Sequence, residues 1–285
     1  MDNKPRGRIA VTWRRLRRYP ATLAGFAIVA FFLLLAVVGP LVAPYKYSDQ
    51  ALPERLLPPS ARHPMGTDQF GRDVFSRVIV GSRDVYVVAG SGTFLAILIG
   101  STLGLVSGYF GRVVDEILMR LVDVLLAMPP LLLAMLILFS LGPSRLNVIL
   151  IVGFLYVPMV ARVVRSVVLD LKTRQFVEAA RLRGEGSLYI MFREILPNVL
   201  PPLAVEASMR FSYAIFLVAS LGFLGLGVQP PSPDWGMMVN DARDWFDQAP
   251  WMLAFPAASI ALLIVGVGFL SDGMRRVLWP TGVAE

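Results

Sequence analysis

The sequence predicts an all-α integral membrane protein with six transmembrane helices, and three observations predict it. Hydrophobic residues make up 56% of the 285 residues against 16% charged, with a mean hydropathy of +0.64, which lies outside the balance of a soluble globular chain. The apolar runs exceed the roughly 10–14 residues of a buried core helix and reach the ~20 needed to cross a bilayer. The basic residues gather beside those runs, so the net charge of +7 reads as membrane topology and not as a nucleic-acid surface. The chain has no cysteine, which excludes disulfides and thiolate metal sites and leaves the redox compartment open.

Residues 1–20 carry Lys4, Arg6, Arg8, Arg14, Arg15, Arg17 and Arg18, whereas residues 21–43 carry no charge. A cleaved signal would have an apolar core of about 7–15 residues. This run of 23 reaches about 34 Å and reads as a first span. Residues 44–84 form a polar, proline-bearing external connection. The second span covers 85–110, and its small-residue face at Ala96, Gly100, Gly104 and Gly108 signals close packing, within one bundle or between two copies. A third covers 114–141, with Asp115, Glu116, Arg120 and Asp123 near water in its first turns and a bend expected at Pro129 and Pro130. The fourth covers 146–165, where Arg162 and Arg165 are placed to snorkel. The fifth covers 199–228. The sixth covers 251–271, followed by Arg275, Arg276 and an interfacial Trp279.

Six spans place both termini on the cytoplasmic side, where most Lys and Arg then fall. The 44–84 connection conflicts mildly with that rule, because Lys46, Arg55, Arg62, Arg72, Arg77 and Arg83 lie in it. Long loops translocate despite charge, and a re-entrant or surface-lying course for residues 68–84 stays open. The organisation is a basic N-terminus with the first span over 1–43, the external connection over 44–84, and a five-helix core over 85–285.

The most specific signal lies between spans four and five, in a loop at about 172–197. It reads QFVEAARLRG at 175–184 and IMFREILPN at 190–198. Physically these are two short helices. The small Ala179 and Ala180 permit close approach by a partner, and Gly184 supplies a turn. Ser187 is positioned to cap the second helix, and Pro197 to end or kink it. An amphipathic interfacial helix without a partner fits the same composition.

At these residues the chain resembles the permeases of ABC importers, whose pattern is Glu-Ala-Ala, a Gly four residues after the second Ala, and Ile-Leu-Pro beyond. Glu178, Ala179, Ala180, Arg181, Gly184, Ile195, Leu196 and Pro197 reproduce it. The resemblance is closest to the C-type permeases of the oligopeptide, dipeptide and nickel group, through the blocks HPMGTD at 63–68, GRD at 71–73, Ser76 with Arg77, LGPS at 141–144, FLGLG at 223–227, and Trp235 with Gly236. Val218, Gly222 and the tail at 271–280 depart from that group's pattern and bear on the substrate subgroup. The resemblance implies a type I importer fold, multi-pass in a prokaryotic inner or plasma membrane, with the loop docking into an ATPase subunit. It implies as partners a homologous second permease, two ABC ATPase subunits that use ATP and Mg, and an extracytoplasmic substrate-binding protein. Membrane lipid surrounds the spans, and the cargo is a small solute such as a peptide.

The chain itself has no P-loop. Lys172 is the one lysine followed by Ser or Thr, and residues 166–171 contain no Gly to wrap a phosphate. No catalytic residue and no cofactor of its own are therefore expected. His63, the single His, lacks any zinc-ligand spacing and reads as a loop residue. Inside the fifth span, Glu206 and Arg210 fit both a translocation pathway and a structural i,i+4 pair. The loop at 229–250 mixes aromatic and acidic residues. Asp234 and Trp235 in it are candidates for a gate or a binding-protein contact, with an interfacial anchor as the plainer reading. An autonomous secondary transporter using Glu206, and a peptide exporter, are the alternative functions.

Overall fold

Pro20, which begins the first helix of the computed structural model, follows a tyrosine whose backbone is extended, the geometry proline suits at a helix start. The structure describes residues 19–278, so the basic N-terminal run and Trp279 lie outside the described residues. Helix α1 covers Pro20–Val42, α2 Val74–Phe110, α3 Arg112–Leu126, α4 Pro130–Leu141, α5 Arg145–Leu171 and α6 Gln175–Leu182. A composite helix α7 covers Ser187–Phe223, followed by α8 at Trp235–Ala242 and α9 at Trp251–Leu278. Helices α1, α2, α5, α7 and α9 are each long and apolar enough to cross a membrane. The pair α3 and α4 adds a sixth span if counted as one, broken by 85°.

That break is the bend expected at Pro129 and Pro130, and it is large enough to make two helices of one span. Pro129 lacks the N–H that would continue α3 and starts α4 with extended backbone. Other boundaries move for similar local reasons. Asp73 accepts a hydrogen bond from the Ser76 N–H at 2.7 Å and caps α2, so this helix begins well before the uncharged stretch at 85 and carries residues 74–84 out of the external connection. At 37 residues it is about 55 Å long, more than the ~30 Å hydrocarbon core. Ser187 does not cap α7; the N-cap is Gly186, with no side-chain bond. Pro197 neither ends nor breaks the helix. A π-helical turn at Ile190–Ile195 precedes it, and the wider turn makes room for the Pro197 ring where a helical hydrogen bond is missing. The fifth span thus starts at the loop itself.

The small-residue face of α2 packs inside the chain. A methyl group added at Gly100 would stand 2.7 Å from Val160, at Gly104 2.4 Å from the Ala161 carbonyl, and at Gly108 2.8 Å from Val168. Helix α5 therefore fills that face, which settles the choice between bundle packing and a second copy at this stripe. Helix α1 lies outside, against α9 and α2, with Gly25 close to Gly266. Two apolar clusters result. One joins α1, α2, α4, α5, α7, α8 and α9. The other, at the opposite end, joins α2, α5, α6 and α7.

Candidate coupling loop, intramembrane charges and cap

The second cluster is built from the loop. Val177 and Ala180 of α6 are fully buried, against Ile190, Met191 and Ile195 of α7 and Leu105, Val160, Val164 and Val168 of α2 and α5. The two alanines of the motif therefore do different work: Ala180 faces its own chain, while Ala179 is exposed together with Glu178 and Arg181. Gly184 ends α6 with φ +80°. Its N–H donates to the Arg181 carbonyl at 2.9 Å, and the Glu185 N–H donates to the Ala180 carbonyl at 3.2 Å, which satisfies the last carbonyls of the helix. No atom lies within 4 Å of where a Gly184 side chain would begin. Ile195 is buried, Leu196 half-buried and Pro197 exposed.

Around that turn the surface is apolar. Leu182 is 86% exposed and Leu188 69%, with Tyr189 and Phe192 beside them. The notional motif contains none of these four. The signal for them was the hydrophobic character of 188–192 in a segment that reads otherwise as polar, and an apolar patch of this kind marks a surface for a protein partner or for the membrane interface.

Glu206 and Arg210 do pair along α7, with Oε1 and Nε 2.7 Å apart. Arg210 Nη1 also donates to the Met159 sulfur at 2.7 Å, and its guanidinium lies 5.0 Å from the Tyr213 ring. Tyr156 donates to the Tyr213 carbonyl at 3.0 Å. The charges of the third and fourth spans also find each other. Arg165 binds both oxygens of Asp115 at 2.5 Å, and Arg162 donates to Asp123 at 2.6 Å. These arginines tie α5 to α3 and do not snorkel away as expected.

At the far end, the short blocks at 63–77 and 229–251 assemble into one cap. Asp68 accepts from the Phe70 and Arg72 N–H groups, each at 2.9 Å, and from Arg72 Nε at 2.5 Å. Arg77 donates to the Tyr47 carbonyl at 3.1 Å and approaches Asp68 at 3.9 Å, while Arg72 approaches Asp241 at 3.7 Å. His63 is buried, with Nδ1 2.9 Å from Asp73 and its ring stacked on Tyr45. Gly71, at φ +72°, passes so close to Ala51 that a side chain there would collide with the Ala51 carbonyl. Trp251 donates to the Thr67 carbonyl at 3.1 Å and Trp235 to the Val78 carbonyl at 3.0 Å. Asp84 accepts from Arg145 and from Ser232.

Asp234 and Trp235 are 3% and 1% exposed, so neither is a surface contact for a binding protein in this conformation. Their geometry explains why. Asp234 caps α8 by accepting from the Met237 N–H at 2.8 Å, and Trp235 plugs α8 onto α2. Burial pushes the Asp234 carboxyl up to about 6, against the pull of the Met237 N–H, with the nearby Asp84 charge adding to the rise. Burial raises Asp241 as well, partly offset by Arg72 and Arg77.

Residues 100–281 match the family described as the binding-protein-dependent transport system inner membrane component. Residues 8–59 match the N-terminal transmembrane domain of oligopeptide transport permease C. The chain belongs to this binding-protein-dependent permease family. It is a multi-pass inner-membrane permease subunit of an ABC importer and not itself an enzyme. Among similar proteins, the dipeptide transport system permease protein DppC of Alkalihalophilus pseudofirmus is 40% identical over 268 residues, 94% of this chain and 88% of that protein. The di/tripeptide transport system permease protein DppC of Pseudomonas aeruginosa is 38% identical, covering 94% of this chain and 90% of its own. The glutathione transport system permease protein GsiD of Pectobacterium atrosepticum is 38% identical, covering 94% and 89%.

Proposed function

We propose that the permease conducts short peptides, and that the exposed turn around Gly184 is where an ATPase subunit docks to drive it. The peptide assignment is supported by the names of relatives 36–40% identical over most of the chain, which span dipeptide, di/tripeptide and glutathione permeases. Glu206 and Arg210 agree with it: a zwitterionic peptide carries both charges that the buried Glu206 and half-buried Arg210 could answer, and intramembrane charges usually face a bundle interior or water.

The single observation that carries the coupling role is the contrast within α6. Val177 and Ala180 are locked into the same cluster as the start of α7 and the loop ends of α2 and α5, while Glu178, Ala179, Arg181, Leu182 and Gly184 face outward. A partner pressing on the outward face moves the inward one, and α7 continues without a break from Ser187 to Phe223. Displacement at Gly184 would therefore reach Glu206 and Arg210 along one lever. This end is then cytoplasmic, and the cap faces outward.

A second permease completes the pathway by alternating access, two ATPase subunits supply ATP and Mg chemistry, and an external binding protein delivers the peptide. With Asp234 and Trp235 buried, the exposed Asp244, Phe246 and Asp247 are the better surface for that delivery, and Asp234 with Trp235 act on gating by fixing α8. The test is reconstitution of the permease with its co-purifying subunits in vesicles. Uptake of a labelled dipeptide that requires ATP and the binding protein is expected. Uptake by the lone chain without ATP would overturn the reading in favour of a secondary transporter.

A further inference from the structure

At the cap end, α1 and α2 touch where Gly39 meets Ile79 and where Tyr86 donates to the Val29 carbonyl at 2.7 Å. Beside that contact runs an apolar groove of about 980 Å³, lined by Leu33, Val37 and Leu41 of α1 and Val87, Gly90 and Phe94 of α2. Its walls are open, with Val37 70% and Phe94 66% exposed. Arg83 stands at its mouth. The same arginine lines a second, half-polar cavity of about 620 Å³, together with Lys46, Tyr45, Tyr47 and Arg145.

One side chain thus joins a hydrocarbon-like groove to a cationic pocket. The carboxylate in that pocket, Asp84, already accepts from Arg145 and Ser232. Arg83 and Lys46 have no carboxylate partner among the described residues. Arg83 and Asp84 are also the last charges before the uncharged run to residue 110, which puts Arg83 at headgroup level. From Arg83 to Leu95 the groove follows α2 for about 18 Å, close to one leaflet of a ~30 Å core.

We propose that this groove binds an anionic phospholipid of the cap-side leaflet, its phosphate on Arg83 and Lys46 and an acyl chain between α1 and α2. A purely apolar helix would cover the walls but leave both cations unanswered, whereas a phosphodiester above a hydrocarbon chain answers each half of the site. Arginine suits the phosphate because its fork can donate two parallel hydrogen bonds. The lipid would seat the cap end of α1, the outermost helix.

Gly90 provides a test that leaves the cations in place. A methyl group there would find only Phe211, at 3.9 Å, so Gly90→Leu has room for its first carbon and adds bulk to the groove that Gly90 lines. The intact transporter, purified in mild detergent with added phosphatidylglycerol, is examined by native mass spectrometry. Arg83→Gln is expected to lower bound phosphatidylglycerol about tenfold, the loss of one charge-assisted contact, and Gly90→Leu to lower it comparably. Arg120→Gln, on the exposed face of α3, and millimolar inorganic phosphate should change nothing. Unchanged lipid in both groove variants, an equal loss in Arg120→Gln, or displacement by inorganic phosphate would each overturn the proposal. So would a photo-crosslinker at position 90 that captures the second permease in place of lipid. If Arg83→Gln does not assemble, the Gly90→Leu result decides alone.

Discussion

The two ends of this permease handle polar and apolar groups in opposite ways. At the cap, charged residues are buried and interlocked: Asp68, Arg72, Arg77 and Asp73 are each at most 5% exposed, and their hydrogen bonds run to backbone, to one another and to His63. At the loop of 175–197, hydrophobic residues are exposed: Leu182, Leu188, Tyr189 and Phe192 face outward near a glycine whose side-chain position has nothing within 4 Å. The cap closes mainly on groups of its own chain, whereas the loop leaves an apolar face uncovered. A buried polar network is expensive to disturb because each group removed strands another, whereas an exposed apolar turn can change with little effect on folding and a large effect on a partner.

Substitutions at the cap should therefore unfold, and the largest expected effect is at Asp68. Asp68→Ala leaves the buried Arg72 with only the 3.7 Å approach to Asp241 and Arg77 with only the Tyr47 carbonyl, a loss of about 3–5 kcal/mol. Little intact permease should be recovered from membranes, measured by immunoblot and by thermal scanning in detergent. Normal yield and an unchanged midpoint would break the contrast. Next comes the helix contact between the two ends. Gly104→Val forces side-chain carbons against the Ala161 carbonyl, 2.4 Å from the first atom added, and should cost about 1–3 kcal/mol as overpacking does.

Asp234 sharpens the comparison through pH. Its carboxyl is raised to about 6 from a usual 3.8, so the folded state holds this proton more tightly than the unfolded one. The stabilisation that results is fully present below about pH 4 and is lost as pH rises through about 6. Asp234→Asn keeps an oxygen to cap α8 and removes the titration. Thermal midpoints of the variant should fall less than those of wild type between about pH 4 and 7. A wild-type profile flat across that window would remove the buried carboxylate from the account. The smallest effect on stability is at the loop, where Leu182→Ser should stay within about 0.5 kcal/mol of wild type while weakening recovery of the ATPase subunit in co-purification.

Much of the fold was legible because the bilayer simplifies the code. Uncharged runs, a small-residue face on α2 and a proline pair in the third span were sufficient to give the spans and the bend and to mark α2 for close packing, but not to say against what. Helix ends were harder to place. Asp73 starts α2 early by capping it, and the π turn before Pro197 lets α7 run through a residue that normally stops a helix; neither leaves a mark in hydropathy. The candidate sites divided in the same way. Glu206 with Arg210 could be read from an i,i+4 spacing, but the partnership of Arg162 with Asp123 and Arg165 with Asp115 depends on the distance between two helices. The cap is the extreme case. Its members come from 45–84 and 229–251, each looks like ordinary loop punctuation, and only their meeting in space turns Asp234 and Trp235 from surface candidates into buried fasteners.

Gly184→Asp tests the central claim most directly, because it adds a side chain where the chain itself offers no obstacle and the left-handed backbone costs an aspartate only about 1 kcal/mol. The account predicts a permease that inserts, keeps its thermal midpoint within a few degrees of wild type, and has lost ATP-driven peptide uptake together with the co-purifying ATPase subunit. ATP-driven uptake at the wild-type rate would contradict it.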